Sequence, residues 1–285
     1  MPVAAPKPRD QDLDFSGLTH PGLVRTTNQD HFLFSTLHQT MRVGGTSLPD
    51  PELLEIPSER LASFGLVADG VGSHAGAEMA SRAALEAIAG YVTHTMQCFF
   101  AADARDVEGF MRSLREAVQT THDAVLARAR DAGHGEGMAT TLTMIMAVWP
   151  HLYLAHVGDS RCYRFRAGRL ELLTRDQTVA QDLVDAGVLP AERAPESPFA
   201  HVLSSALGGE TTRPAVGHSD LEASDVILLC TDGLTKHVPS GFIEHCLGHL
   251  ESSAQACRQL VDAALAAGGT DNVTVVVLRA VVRDP

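Results

Sequence analysis

The sequence predicts an α+β chain built from antiparallel sheets with helices packed outside them. Short apolar runs cluster in the centre and at both ends of the chain, and helical patterns fall between them in pairs. Parallel α/β folds alternate strand and helix more regularly than this. No composition break marks a second domain in the 285 residues, a length that suits one large domain.

The elements follow in order. Residues 1–14 begin Pro-rich and charged and read as a loose tail, which leaves 15–285 as a single domain. Residues 31–34 read as a strand. From 41 to 60, Gly44-Gly45 with Pro49, Pro51 and Pro57 break any regular pattern. The apolar run 64–68 is a strand that ends at Asp69-Gly70. Met79, Ala83, Ile88 and Val92 fall at helical spacing and predict a helix over 76–96. A second helix, 107–130, lines up Phe110, Met111, Leu114, Val118 and Val125 on one face, and Gly133, Gly135 and Gly137 end it. From 140 the pattern turns to β. Strands at 140–148, 152–157 and 162–166 are joined by turns at Trp149-Pro150-His151 and Gly158-Asp159-Ser160. Ala167-Gly168 is a tight turn into 170–173. A mixed segment, 176–204, holds one short helix (179–186) and then Pro190, Pro195 and Pro198. A strand at 226–230 leads to Asp232. A helix at 253–266 stops at Gly268-Gly269, and 273–278 is the last strand.

The formal net charge of -13 opposes non-specific binding to nucleic acid. Five Cys, an odd number without a CxxC, read as reduced thiols and so as cytosolic. The N-terminus lacks an apolar export core, and no apolar run approaches the ~18 residues of a membrane helix. The expectation is a cytoplasmic protein without a membrane or nucleic-acid partner.

Asp69-Gly70 and Asp232-Gly233 follow apolar strands, and Asp271-Asn272 precedes one. A single Asp-Gly is usually a turn, because Gly accepts positive φ and Asp bonds its own backbone. Three such pairs at strand edges in one chain suggest more. Carboxylates held rigidly and converging would repel each other unless cations sat between them. That points to a hard-metal site, and such a site points to phosphoester hydrolysis. Gly70 adds a backbone carbonyl that a cation can approach closely. Asp159 is a fourth candidate of the same kind, with a hairpin turn as its plain alternative. Arg25 near Asp30 suits a tetrahedral phosphate, which a guanidinium binds through two oxygens. The plain alternative is a surface ion pair worth ~0–1 kcal/mol. Few His stand near these acids, so Mg²⁺ or Mn²⁺ fits better than zinc. A bridged pair of such ions would share a water, lower its pKa and aim it at phosphorus. Asp12-Leu13-Asp14-Phe15-Ser16 looks like an aspartyl-phosphate nucleophile motif, but no apolar strand leads into it. No Walker A sequence exists, and no Cys has an Arg six positions later.

Eight segments in order resemble the metal-dependent PPM/PP2C protein phosphatases of the compact bacterial type. They are Gly22 to Asp30, Val67 to Gly72, Gly137 to Leu142, Val157 to Arg161, Leu172 to Thr174, Ala206 to Gly208, Leu229 to Leu234, and Asp271 to Thr274. The resemblance implies a β-sandwich of two packed antiparallel sheets flanked by helix pairs. It implies a protein serine/threonine phosphatase with two bridged Mn²⁺ or Mg²⁺ ions and a looser third. Asp69 would bridge the pair, the Gly70 carbonyl would bind one ion, and Asp232 and Asp271 would hold the other. Asp30 would act through bound water, and Asp159 would hold the third ion with help from Asp232. Arg25 would clamp the phosphate, and 176–204 would be a flap bordering the cleft. Many relatives carry His directly after the Asp-Gly as a proposed general acid. Val71 stands there, which leaves bound water or His74 to protonate the leaving oxygen. The partners implied are phosphorylated proteins, targets of a Ser/Thr kinase, met by a monomer. Two rivals remain at this stage: a non-catalytic phosphoprotein binder of the same fold, and a metal-dependent phosphodiesterase or nuclease.

Overall fold

Two antiparallel sheets lie face to face, and helices cover both outer sides. The computed structural model describes residues 6–41, 56–72, 74–95, 106–133 and 137–281. With strands numbered along the chain, the first sheet runs β1 (Leu13–His20), β11 (Val273–Ala280), β10 (Val226–Cys230), β7 (Arg161–Arg166), β8 (Arg169–Leu172). The second runs β2 (Asp30–Met41), β3 (Ile56–Gly72), β5 (Leu142–Val148), β6 (His151–Val157), β9 (Ala215–Asp220), and β4 (Met138–Thr140) pairs the end of β3.

Alternation along the strands builds three cores. In β10, Ile227 and Leu229 point between the sheets, where they meet Val67, Ile145, Val276 and Leu278. Leu228 and Cys230 point the other way, toward helices α5 (Ser240–Gly248) and α6 (Ser253–Ala266). Strands buried on both faces lose the polar alternation of a half-exposed strand, which is why β10 reads Val-Ile-Leu-Leu-Cys without a break. On the outer face of the second sheet, Leu66, Met144 and Tyr153 pack against α1 (His74–His94) and α2 (Val107–Asp131). Two short helices complete the set: α3 (Val179–Asp185) and α4 (Asp232–Thr235). A helix pair on each outer face agrees with the expected sandwich.

The differences from the sequence reading have local causes. Strand β1 has no counterpart among the expected elements, and residues 13 and 14, expected in the tail, open it. Its Leu-Asp-Phe-Ser-Gly-Leu-Thr-His pattern is half-buried throughout and pairs with the strongly apolar β11. The chain is tied before that point too, because the Arg60 guanidinium donates to Asp10 Oδ1 at 2.7 Å. Residues 56–60, read as part of a broken loop, belong to β3 despite Pro57, while 42–55 lie outside the described residues. The predicted 140–148 strand divides into β4 and β5. Strand β9 and helix α5 were not foreseen: β9 is an edge strand with Gly217 in it, and α5 lacks a side-chain cap.

Candidate active site

Five aspartates from separate stretches meet at one end of the sandwich. Asp30 opens β2 and lies directly opposite Asp69 of β3. Asp159 follows β6, Asp232 follows β10, and Asp271 precedes β11. A cleft of about 250 Å³ is lined by Arg25, Asp69, Gly70, Asp159, Asp232 and Asp271, together with Lys236 and His201.

Asp69-Gly70 does not end its strand, contrary to the sequence reading. Strand β3 continues through Gly72 and changes partner there, from β5 at residues 63–67 to β4 at residues 70–72. The crossing is held by Thr140-Thr141. The Thr141 N–H and the Thr140 hydroxyl both donate to the Asp69 carbonyl, at 2.9 and 2.8 Å, while the Asp69 N–H donates to Thr141 Oγ1 at 3.0 Å. Backbone groups so fully occupied fix where the carboxylate points. Gly70 is wedged against the start of α1, and a Cβ there would stand 2.3 Å from the Ala77 carbonyl oxygen. At Gly233 a Cβ would stand 1.8 Å from the Asn272 carbonyl oxygen. Both glycines therefore permit a close backbone approach that no other residue allows.

Asp30 is buried at 4 % exposure beneath the cleft. Its Oδ2 accepts from the hydroxyls of Thr231 at 2.8 Å and Thr274 at 2.7 Å. Its Oδ1 has no partner, and Asp232 Oδ1 is also buried without one. The cross-strand neighbour of Asp30 is Asp69, which has no proton to give when ionised. Leaving a buried acceptor unpaired costs roughly 1–3 kcal/mol, so two such atoms in one place call for a cation.

Charge repulsion is written into the titration of the cluster. Burial, then the nearby Asp232, pushes the Asp30 carboxyl up to about 7. Burial, with Asp30 and Asp232 beside it, raises Asp69 well above the usual carboxylate range. Burial and Asp232 move Asp159 up to about 8. Asp271 behaves oppositely: burial pushes it up, but Lys236 and Arg25 outweigh that and hold it below the usual range. Lys236 Nζ sits 2.6 Å from Asp232 and 2.8 Å from Asp271, doing with an ammonium what a cation would do there.

The six residues expected from the sequence, Arg25, Asp30, Asp69, Asp159, Asp232 and Asp271, are brought together along with Gly70. Arg25 meets Asp271 at 2.9 Å instead of Asp30. Sequence reasoning missed Lys236, Thr231, Thr274 and the Thr140-Thr141 brace. The one available signal was spacing: Lys236 lies four residues after Asp232, within reach on a helix. It also missed His201, which stands with Asp159 and Asp232 so that one ligand atom from each lies within 4.8 Å of the others. The His74 side chain lies outside the described residues. Asp14, of the rejected nucleophile motif, accepts from Ser253 N–H at 2.8 Å and Arg279 Nε at 2.9 Å, far from the cleft in role.

An oxygen-rich donor set with unpartnered acceptors and a glycine cradle fits hard divalent ions such as Mn²⁺ and Mg²⁺. The comparisons agree. Residues 56–268 match the protein phosphatase 2C family. The serine/threonine protein phosphatase PstP of Mycobacterium tuberculosis is 36 % identical over 74 % of this chain, and the match spans 39 % of that relative's length. Protein phosphatase PhpP of Streptococcus pneumoniae is 29 % identical over 92 % of this chain and 96 % of its own. The solved catalytic domain of PstP in complex with two manganese ions superposes with a TM-score of 0.71 at 31 % identity, covering 95 % of this chain and 99 % of that one. The chain belongs to the protein phosphatase 2C family.

Proposed function

We propose that this chain is a metal-dependent protein serine/threonine phosphatase that hydrolyses phosphoserine and phosphothreonine in cytoplasmic phosphoproteins, acting as a monomer on the targets of a Ser/Thr kinase. One observation carries the reading: carboxylates from far-apart strands line a single cleft beside Arg25 and Lys236, with Asp30 paired to Asp69 behind them, and Asp30 and Asp232 each keep an orphaned buried oxygen. Asp69, the Gly70 carbonyl, Asp232 and Asp271 would hold a pair of Mn²⁺ or Mg²⁺ ions, and Asp30 would support them from below. Asp159 and Asp232, with His201 in reach, would hold a third ion. When bound, the ions supply Lewis-acid activation of water and neutralise charge on the phosphoryl group.

The protein's own groups do the rest. Thr231 and Thr274 hold Asp30 in one orientation, and Thr140 and Thr141 do the same for Asp69. Arg25 is half-exposed on Asp271. An exposed pair of this kind is worth ~0–1 kcal/mol, so the guanidinium swings to a phosphate dianion at little cost and binds two of its oxygens. Residues 176–204 act as the flap. The Gln177 N–H donates to the Gly158 carbonyl at 2.7 Å and the Ser204 N–H to the Gln177 carbonyl at 2.9 Å, so both ends are fastened beside Asp159. Between those ends the flap walls a larger cleft of about 680 Å³ and exposes Val188, Phe199 and Val202, apolar contacts for residues flanking a phosphorylated side chain. Among the described residues no helix is long and apolar enough to cross a membrane.

The deciding experiment compares wild type with Asp69→Asn and Asp232→Asn on a phosphothreonine peptide with Mn²⁺ present. Each variant should keep its circular dichroism and lose nearly all turnover. Turnover retained in either variant refutes the ligand assignment. Faster cleavage of bis-p-nitrophenyl phosphate than of p-nitrophenyl phosphate by wild type would move the reading to a phosphodiesterase.

A further inference from the structure

At the other end of β6, away from the cleft, three donors converge on the β6–β9 strand pair. His151 lies directly opposite Asp220, and His218 lies two residues before Asp220, on the same face of β9. His151 Nδ1 is 3.1 Å from His218 Nε2 and 3.3 Å from Asp220 Oδ1. One ligand atom from each residue lies within 4.8 Å of the other two. Ligand atoms at about 2.0–2.1 Å from a tetrahedral zinc stand about 3.3 Å apart. Two of the three donor spacings match that value, and the third pair lies within 4.8 Å.

We propose that His151, His218 and Asp220 form a second metal site, selective for a borderline divalent cation such as Zn²⁺ and separate from the oxygen-rich centre. Two imidazole nitrogens and one carboxylate suit zinc and its neighbours, whereas Mg²⁺ and Ca²⁺ take oxygen. The donors ride on paired strands, so their positions are set by the ladder. The end of β9 is anchored further: Arg164 and Arg166 donate to the Asp220 carbonyl at 3.2 and 2.9 Å. Those guanidinium charges are met by Glu171, Glu222 and Asp225. The Tyr153 ring, packed 4.0 Å from Phe110 between centroids, sits 5.1 Å from His218 and backs the site. His151 begins β6, and the far end of that strand, Val157, lies six strand steps or about 20 Å away, with Asp159 two residues beyond it. An ion here would not touch substrate. It would clamp edge strand β9, the strand that follows the flap segment, onto β6.

Co²⁺ is the probe, added to the full chain in excess Mg²⁺. Six-coordinate Co²⁺ among oxygens absorbs weakly in the visible, and tetrahedral Co²⁺ with imidazole ligands absorbs strongly. Wild type should develop intense bands that saturate at one equivalent and vanish when Zn²⁺ is added. His218→Gln and His151→Gln should lose the bands with unchanged circular dichroism, and Asp220→Asn should weaken binding at least ~10-fold, since even outer partners of metal ligands cost that much. Phosphatase turnover in Mg²⁺ should be the same in all four proteins. Weak bands alone in wild type, or intense bands that survive in His218→Gln, overturn the site, and neither result bears on the phosphatase reading.

Discussion

Strip the protein of metal with EDTA and raise the pH, and the acidic cluster should weaken the fold. The folded-state carboxyls of Asp30 and Asp159 sit at about 7 and about 8, against 3.8 for an unperturbed Asp. Between those limits the folded chain holds protons that the unfolded chain has released. Stability is then fully present at low pH and falls as pH rises through the folded values. His156 works in the opposite sense: burial lowers its pKa to about 4 from 6.5, so its contribution grows with pH, but only up to about 6.5. The clean window is therefore about pH 6.5 to about 8, where the two carboxyls together lose about 2 kcal/mol. For a chain of this size that is a fall in Tm of roughly 4–8 °C. Calorimetric melts in EDTA at four pH values across the window measure it. With saturating Mn²⁺ the cations replace the protons, and the fall should disappear or reverse. Asp159→Asn should flatten the metal-free profile. A metal-free Tm that is flat or rising between pH 6.5 and 8 refutes the electrostatic reasoning.

Arg25→Ala should raise KM for a phosphopeptide roughly 10–100-fold, the loss of a charge-assisted pair of about 1.5–3 kcal/mol, with a smaller change in kcat; steady-state kinetics with Mn²⁺ decides, and an unchanged KM removes the clamp. Lys236→Met should tighten Mn²⁺ binding in a calorimetric titration, because the ammonium now lies 2.6 Å from Asp232 and 2.8 Å from Asp271 and competes for them. Weaker Mn²⁺ binding would mean that Lys236 orders those carboxylates and does not compete.

Much of the site was legible because its carboxylates sit in short runs that also carry backbone signals. Asp69-Gly70 and Asp232-Gly233 announce themselves by an apolar strand before and a glycine after. The order of the eight segments then supplied a fold that periodicity alone left at antiparallel sheets with outer helices. Long-range partners were illegible. Nothing in the sequence says that Thr231 and Thr274, 43 residues apart, share one carboxylate oxygen of Asp30. Nor does it say that β3 passes through Asp69 and changes partner, since a glycine after a strand reads as an ending and here serves a close approach. Strand β1 was missed because its residues are all half-buried and carry no clean alternation. Strand β9 and its His-x-Asp pair were passed over for the same reason: an edge strand shows polar residues on both sides.

The most direct test of a two-ion centre in this cleft is anomalous diffraction at the manganese edge from crystals grown with Mn²⁺. Two strong peaks should lie within coordination distance of Asp69, with Asp232 and Asp271 on one of them and the Gly70 carbonyl on the other. Peaks confined to other surfaces, with these oxygens still paired only to Lys236 and Arg25, would contradict it.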